Sequence, residues 1–132
     1  MDCDSYYASC EVMRNPGLRG RPVAVARAGD IVLAASYEAK KHGIKTGTAT
    51  RDAKKLLPST IFIEPDFYRY SVVSEKLKDY LYGICNAVEV FSIDESFVDI
   101  TGLDVLRKCS YPDVANTLKH KIKQDIGIPV SI

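Results

Sequence analysis

Val88-Glu89-Val90-Phe91-Ser92-Ile93-Asp94-Glu95-Ser96-Phe97-Val98-Asp99-Ile100 carries the strongest structural signal in this chain. Residues 88–91 and 97–100 are rich in β-branched and aromatic side chains and read as two strands joined by Ser92-Ile93-Asp94-Glu95-Ser96. A tight hairpin normally wants Asn-Gly or Asp-Gly, because its central residues need positive φ. Asp94-Glu95 supplies no glycine, so turn chemistry alone does not account for it. The pair does concentrate negative charge at the tip of a rigid hairpin, where a divalent cation could neutralise it. Upstream, residues 66–86 place Tyr70, Val73, Leu77, Leu81 and Ile84 at three- and four-residue intervals, which predicts a helix with one apolar stripe. Downstream, residues 112–125 carry Val114, Leu118 and Ile122 on one helical face, and residues 129–132 read as a strand.

The first half adds shorter elements. Asp2 ends a strand that has barely begun, and residues 5–12 read as a helix capped by Asp4 or Ser5, with Tyr7, Cys10 and Met13 on one face. Asn15-Pro16-Gly17 breaks it. Residues 23–26 and 31–35 read as strands about a turn at 28–30, residues 37–41 as a short helix ended by Gly43, and residues 51–57 as another stopped at Pro58. A brief strand at 61–64 follows. The order strand, helix, insert, helix, strand, strand, helix, strand predicts an α+β fold. Its core is a ferredoxin-like antiparallel sheet with helices on one face, interrupted by a small subdomain that holds most of the basic residues.

At 132 residues, 46% apolar and 27% charged, the chain has the composition of an ordinary globular domain. A net charge of +1 announces no nucleic acid partner. Any positive surface is local, from Arg14, Arg19 and Arg21 to Lys40, Lys41, Lys45, Arg51, Lys54 and Lys55, and solvated faces are the ordinary explanation of such runs. Cys3, Cys10, Cys85 and Cys109 show no paired or zinc-ligand spacing. With no signal peptide and no long apolar run, a reducing, cytoplasmic setting without a membrane is expected.

Asp2, Asp94 and Glu95 are the candidate metal ligands. Hard cations such as Mg²⁺ take oxygen ligands, and two of them about 4 Å apart can hold both the attacking and the leaving oxygen of a phosphoryl transfer. An acid ending the first strand and an acidic pair on a hairpin provide this only if the strands are adjacent. The N–H groups of the helix start near Ser5 could receive a triphosphate. Tyr6 and Tyr7 stand at that start, and one of the rings is expected to pack inward. Tyr37 and Lys40 share a face one helical turn apart, a weak signal on its own. His42 and His120 read as ordinary surface residues.

Taken together, three segments resemble the Y-family translesion DNA polymerases of the DinB/UmuC type. Asp2-Cys3-Asp4-Ser5-Tyr6-Tyr7-Ala8-Ser9-Cys10-Glu11 is similar to their opening motif. Residues 33–45, Leu-Ala-Ala-Ser-Tyr-Glu-Ala-Lys-Lys-His-Gly-Ile-Lys, are similar to their fingers motif, and residues 92–101 to their catalytic hairpin. The resemblance implies a palm at 1–17 and 66–132 with a fingers subdomain at 18–65. It implies that Asp2, Asp94 and Glu95, helped by the Cys3 carbonyl, bind two Mg²⁺ ions, for which Mn²⁺ can substitute. Tyr7 would be the steric gate against a 2′-hydroxyl, Tyr6 would offer its backbone N–H to the triphosphate, and Tyr37 and Lys40 would contact the β- and γ-phosphates. Small residues from Ala34 to Ser36 would face the templating base. Asp4 and Asp99 are expected to be structural. The partners implied are primer-template DNA and a dNTP, with a sliding clamp and accessory subunits met through C-terminal regions.

Two features depart from the pattern. Lys40 stands where many relatives have arginine, so a point contact replaces a bidentate one and the motif leans to the UmuC side. The short first strand and the missing thumb and little finger suggest a fragment that does not extend a primer by itself. The rival readings are a non-catalytic remnant that binds DNA or a protein, and another two-metal palm enzyme such as a nucleotidyl cyclase, which has no reason to carry the Tyr37-to-Lys41 segment.

Overall fold

A computed structural model describes all residues, 1–132. In chain order the elements are β1 (Asp2–Cys3), α1 (Tyr6–Arg14), β2 (Val23–Ala26), β3 (Val32–Ala35), α2 (Tyr37–Lys40), α3 (Thr50–Leu56), β4 (Ile61–Ile63), α4 (Phe67–Tyr82), β5 (Ala87–Val90), β6 (Ser96–Asp99), α5 (Leu103–Arg107), α6 (Tyr111–Asp125) and β7 (Val130–Ser131). The chain forms two compact units, one of Met1–Asp4 with Tyr68–Ile132 and one of Ser5–Phe67.

In the first unit β1 pairs antiparallel with β7, Asp2 opposite Ser131 and Cys3 opposite Val130. Along its other edge β1 meets the hairpin. The Cys3 N–H donates to the Asp94 carbonyl at 2.9 Å, the Ser96 N–H donates to the Met1 carbonyl at 3.0 Å, and Asp2 stands opposite Glu95. The β5–β6 hairpin then continues the sheet, from Ala87 opposite Asp99 to Val90 opposite Ser96. Two antiparallel pairs, β1–β7 and β5–β6, are thus joined edge to edge by the Asp2–Glu95 bridge and its flanking hydrogen bonds, in the antiparallel style the sequence predicts.

Because side chains alternate across a strand, this register sorts the two faces. Cys3, Val130 and Ser96 are buried on one, while Asp2, Ser131 and Phe97 are exposed on the other. The apolar cover comes from the predicted stripes, Tyr70, Val73, Leu77 and Leu81 of α4 and Val114, Leu118 and Ile122 of α6, all buried. Each such side chain contributes roughly 1.5–3 kcal/mol by leaving water. Helix α6 begins in a capping box, the Ser110 hydroxyl accepting from the Asp113 N–H and the Asp113 carboxylate from the Ser110 N–H.

Two local expectations are corrected here. Helix α4 ends at Tyr82, short of position 86, where Gly83 follows. Helix α5 was not foreseen. Its five residues are bracketed by two left-handed positions, Gly102 at φ 79° and Lys108 at φ 54°, and Val105 and Leu106 face solvent, so it has no stripe to read.

In the second unit β2 is central, antiparallel to β3 and parallel to β4. Its core is built of small side chains, Ala24, Ala26, Val32, Ala35, Ala39, Ile44 and Ala53, with Leu57 and Phe62 at the margin. Ser36 welds the strands to α2, for its hydroxyl accepts from the Val23 N–H at 2.9 Å and donates to the Arg21 carbonyl at 3.2 Å. It also caps α2 at the Ala39 N–H. Helix α1 belongs to this unit.

Candidate active site

Asp94 and Glu95 sit in a five-residue loop between β5 and β6. No residue of that loop has positive φ, which removes the reason for expecting glycine. Ser92 does the work of the turn. Its hydroxyl accepts from the Glu95 N–H at 3.1 Å and donates to Asp94 Oδ1 at 2.8 Å, while Glu95 Oε2 lies 3.4 Å away. The two carboxylates therefore converge on one hydroxyl. From α4, the buried Ser74 donates to the Ile93 carbonyl at 2.5 Å. From β1, the Cys3 N–H holds the Asp94 carbonyl. The loop is thus pinned from below and from one side, and sequence reasoning missed both serines because their pattern is that of ordinary polar positions.

Asp2 reaches the same place through pairing. Residues directly opposite on antiparallel strands project to the same face with Cβ atoms about 4.5–5.5 Å apart, so the Asp2 and Glu95 side chains stand side by side. None of Asp2, Asp94 and Glu95 forms an ion pair with a lysine, arginine or histidine. Their oxygen donors suit a hard cation. The side chains are not gathered into a ready-made cluster, for no three His, Cys, Asp or Glu groups stand at metal-holding distance. Asp4 is set apart by the Ser131 hydroxyl, which donates to its Oδ1 at 2.6 Å. Asp99 accepts from the Thr101 N–H at 2.9 Å, a bond that holds its carboxyl below the usual range together with the Thr101 side chain. Both have the structural roles expected of them.

The remaining candidates belong to the second unit. Helix α1 starts after Ser5, whose backbone is left-handed at φ 48° and whose side chain does not cap the helix. Ser5, one of the two expected caps, holds the N-cap position without a capping bond from its side chain. Tyr6, not Tyr7, is the buried ring, packed with Cys10. Burial pushes the Cys10 thiol up to about 12, against an opposing hydrogen bond from Tyr6, so this cysteine is a hydrophobe and not a nucleophile. Tyr7 is half-buried and lies edge-on to Phe67 at 81°, ring centroids 5.8 Å apart. On α2, Tyr37 and Lys40 are exposed, and Lys41 places its ammonium 4.5 Å from the centre of the Tyr37 ring. Tyr37 is 68% exposed, which leaves its hydroxyl open to a ligand.

A profile of the impB/mucB/samB family matches residues 1–132. DNA polymerase IV 2 of Mesorhizobium japonicum is 39% identical over 132 residues, covering 99% of this chain and 31% of that protein. DNA polymerase IV of Moorella thermoacetica is 43% identical over 137 residues, covering 99% and 34%. Among solved structures, the insertion ternary complex of Dbh DNA polymerase superposes with a TM-score of 0.85 at 27% identity over 98% of this chain and 40% of that one. DinB from Sulfolobus solfataricus gives 0.85 at 28% identity, covering 98% and 39%. The chain spans about a third of the length of the curated relatives it matches. The relatives carry the polymerase IV name, and Lys40 alone does not decide the branch. The resemblance first read from three short motifs is thus met along the whole sequence: the chain belongs to the impB/mucB/samB family of Y-family DNA polymerases.

Proposed function

We propose that these residues are the palm (1–17 and 66–132) and fingers (18–65) of a translesion DNA polymerase, which adds dNTPs to a primer opposite damaged template. The observation that carries this is the placement of Asp2 opposite Glu95, with Asp94 alongside and no basic side chain paired to any of them. Acidic side chains on neighbouring strands without a counter-charge repel one another, and a metal cation that draws them in is the natural partner. Asp2, Asp94, Glu95 and the Cys3 carbonyl would hold two Mg²⁺ ions, or Mn²⁺ in their place, whose role is to activate the primer hydroxyl and neutralise the triphosphate.

The chain's own residues do the rest. The primer 3′-oxygen, giving up its proton to solvent, attacks the α-phosphorus of the dNTP, the bond from that phosphorus to the α,β-bridging oxygen breaks, and pyrophosphate leaves on that oxygen. Tyr6 offers its N–H to the triphosphate at the start of α1, where the helix dipole favours negative charge. The Tyr7 ring, steadied by Phe67 and by Tyr6 at 5.8 Å, is a stiff wall under the sugar that leaves no room for a 2′-hydroxyl. Tyr37 and Lys40 meet the β- and γ-phosphates, and the small side chains of Ala34 and Ala35 leave space beside the templating base. A sliding clamp and accessory subunits would engage regions outside these residues, since the relatives are about three times as long.

The test is a Mn²⁺ titration followed by electron paramagnetic resonance, with wild type against Asp94→Ala, alongside primer extension by the protein in its full natural reading frame. Saturable binding that Asp94→Ala removes, and extension that it abolishes, support the reading. Extension that survives Asp94→Ala refutes it. The 132 residues alone are expected not to extend a primer, and templated addition by this chain on a gel would overturn that part.

A further inference from the structure

On the open face of the sheet, Phe91 and Phe97 are 70% and 64% exposed, unusual for two phenylalanines on one hairpin. Their rings pack edge-on at 83° with centroids 6.1 Å apart, so each restrains the other. Phe97 is two residues beyond Glu95 on the same strand and therefore points to the same face as Glu95 and Asp2. The rings and carboxylates share one cavity of about 300 Å³, lined by Asp2, Phe91, Glu95, Phe97 and Ser131 among others.

An occupant of this cavity must present an apolar face to the rings while placing a cation-compatible oxygen at Asp2 and Glu95. A terminal nucleotide meets both demands at once. The C–H face of its deoxyribose and the π-face of its base are apolar, and its hydroxyl and phosphate oxygens would reach the carboxylates through a metal. We propose that Phe91 and Phe97 form the seat of the primer's 3′-terminal nucleotide, with Phe97 against the C–H face of its deoxyribose and the 3′-hydroxyl directed to Asp2 and Glu95. They are positioning residues, and the assignment rests on the polymerase reading above. Phe91 stiffens Phe97 through the ring contact, so both are needed.

The full-length protein is tested by primer extension with wild type, Phe97→Ala, Phe97→Tyr, Phe91→Ala and the exposed control Val105→Ala. Loss of an aromatic seat is expected to raise KM for primer-template by about tenfold, the order found when a stacking ring is removed. KM for the dNTP should stay unchanged, and Phe97→Tyr should restore wild-type behaviour. These 132 residues contain no tryptophan, so the difference in emission between Phe97→Trp and wild type reports on this position, and it should change when a primer-template bearing a 3′-hydroxyl is added in the presence of Ca²⁺. Unchanged KM for DNA in Phe97→Ala overturns the seat while leaving the polymerase reading intact. A wild type that extends nothing overturns the reading itself. A Phe97→Trp emission that is already blue-shifted and indifferent to DNA shows the cavity filled by the protein's own chain, and the proposal then fails.

Discussion

Replacing Ser74 by alanine isolates the tether beneath the acidic loop. Ser74 is 1% exposed and its hydroxyl donates to the Ile93 carbonyl, the residue before Asp94. Alanine removes the donor and leaves that carbonyl without it in a site that water does not enter easily. A buried polar group stripped of its partner costs about 1–3 kcal/mol, more than the net value of the bond itself. Taking about 2 kcal/mol and an m-value of about 2 kcal/mol/M in urea, the unfolding midpoint of this unit should fall by about 1 M. Hydrogen exchange adds the location. The Cys3 and Glu95 amides, bonded to the Asp94 carbonyl and the Ser92 hydroxyl, should exchange faster, while amides of Val23–Ala26 in the other unit should not change. A midpoint shift below about 0.25 M, or faster exchange spread evenly through both units, would refute the claim that Ser74 fixes the loop.

Three further predictions concern other parts of the molecule. Tyr80 donates to Asp125 Oδ2 at 2.6 Å, and loss of hydration together with this bond pushes its phenol up to about 12 from 10.0. Since the folded-state value is the raised one, the contribution to stability is complete below pH 10 and lost as pH rises towards 12. Ultraviolet difference titration should find the late-ionising phenol, and Asp125→Asn should bring it down. Ser110→Ala removes the N-cap of α6 and should destabilise the first unit by about 1 kcal/mol in urea unfolding. In the full-length protein, Tyr7→Ala should raise ribonucleotide incorporation by about 100-fold relative to deoxyribonucleotides, the order a shape-based pocket contributes, as read from single-nucleotide extension with each substrate.

Elements that announce themselves by period were legible. The stripes of α4 and α6 are written in Tyr70, Val73, Leu77 and Leu81 and in Val114, Leu118 and Ile122, which are buried as read, while Ile84, read as the end of the first stripe, lies beyond Tyr82 and is half-buried. Strand β2 was placed at its observed bounds because four apolar residues stand between turn signals. What was hidden depends on backbone states and distant pairing. The left-handed backbone of Ser5 and the choice of Tyr6 as the inward ring were not legible, for no residue type forecasts such a φ in serine. The glycine argument for the Asp94-Glu95 turn assumed a two-residue connection, whereas Ser92 supplies hydrogen bonds that let five residues turn without strain. Of the site, residue identities were visible from motif. That Asp2 stands opposite Glu95, and that the acids have no basic partner, came only from the folded chain.

The two-residue strand β1 carries a consequence for the order of folding. Its partners lie 95 residues away at Ser96 and 127 away at Ser131, measured from Met1 and Asp4. The hairpin and the helices can form from neighbours in sequence, but these contacts must wait for long loops to close, and closure entropy grows with the logarithm of loop length. The carboxylate at position 2 therefore joins Asp94 and Glu95 late. Whatever needs the carboxylate of position 2 beside Glu95 must wait for one of the most distant pairings in the chain, not for the hairpin that holds Asp94 and Glu95.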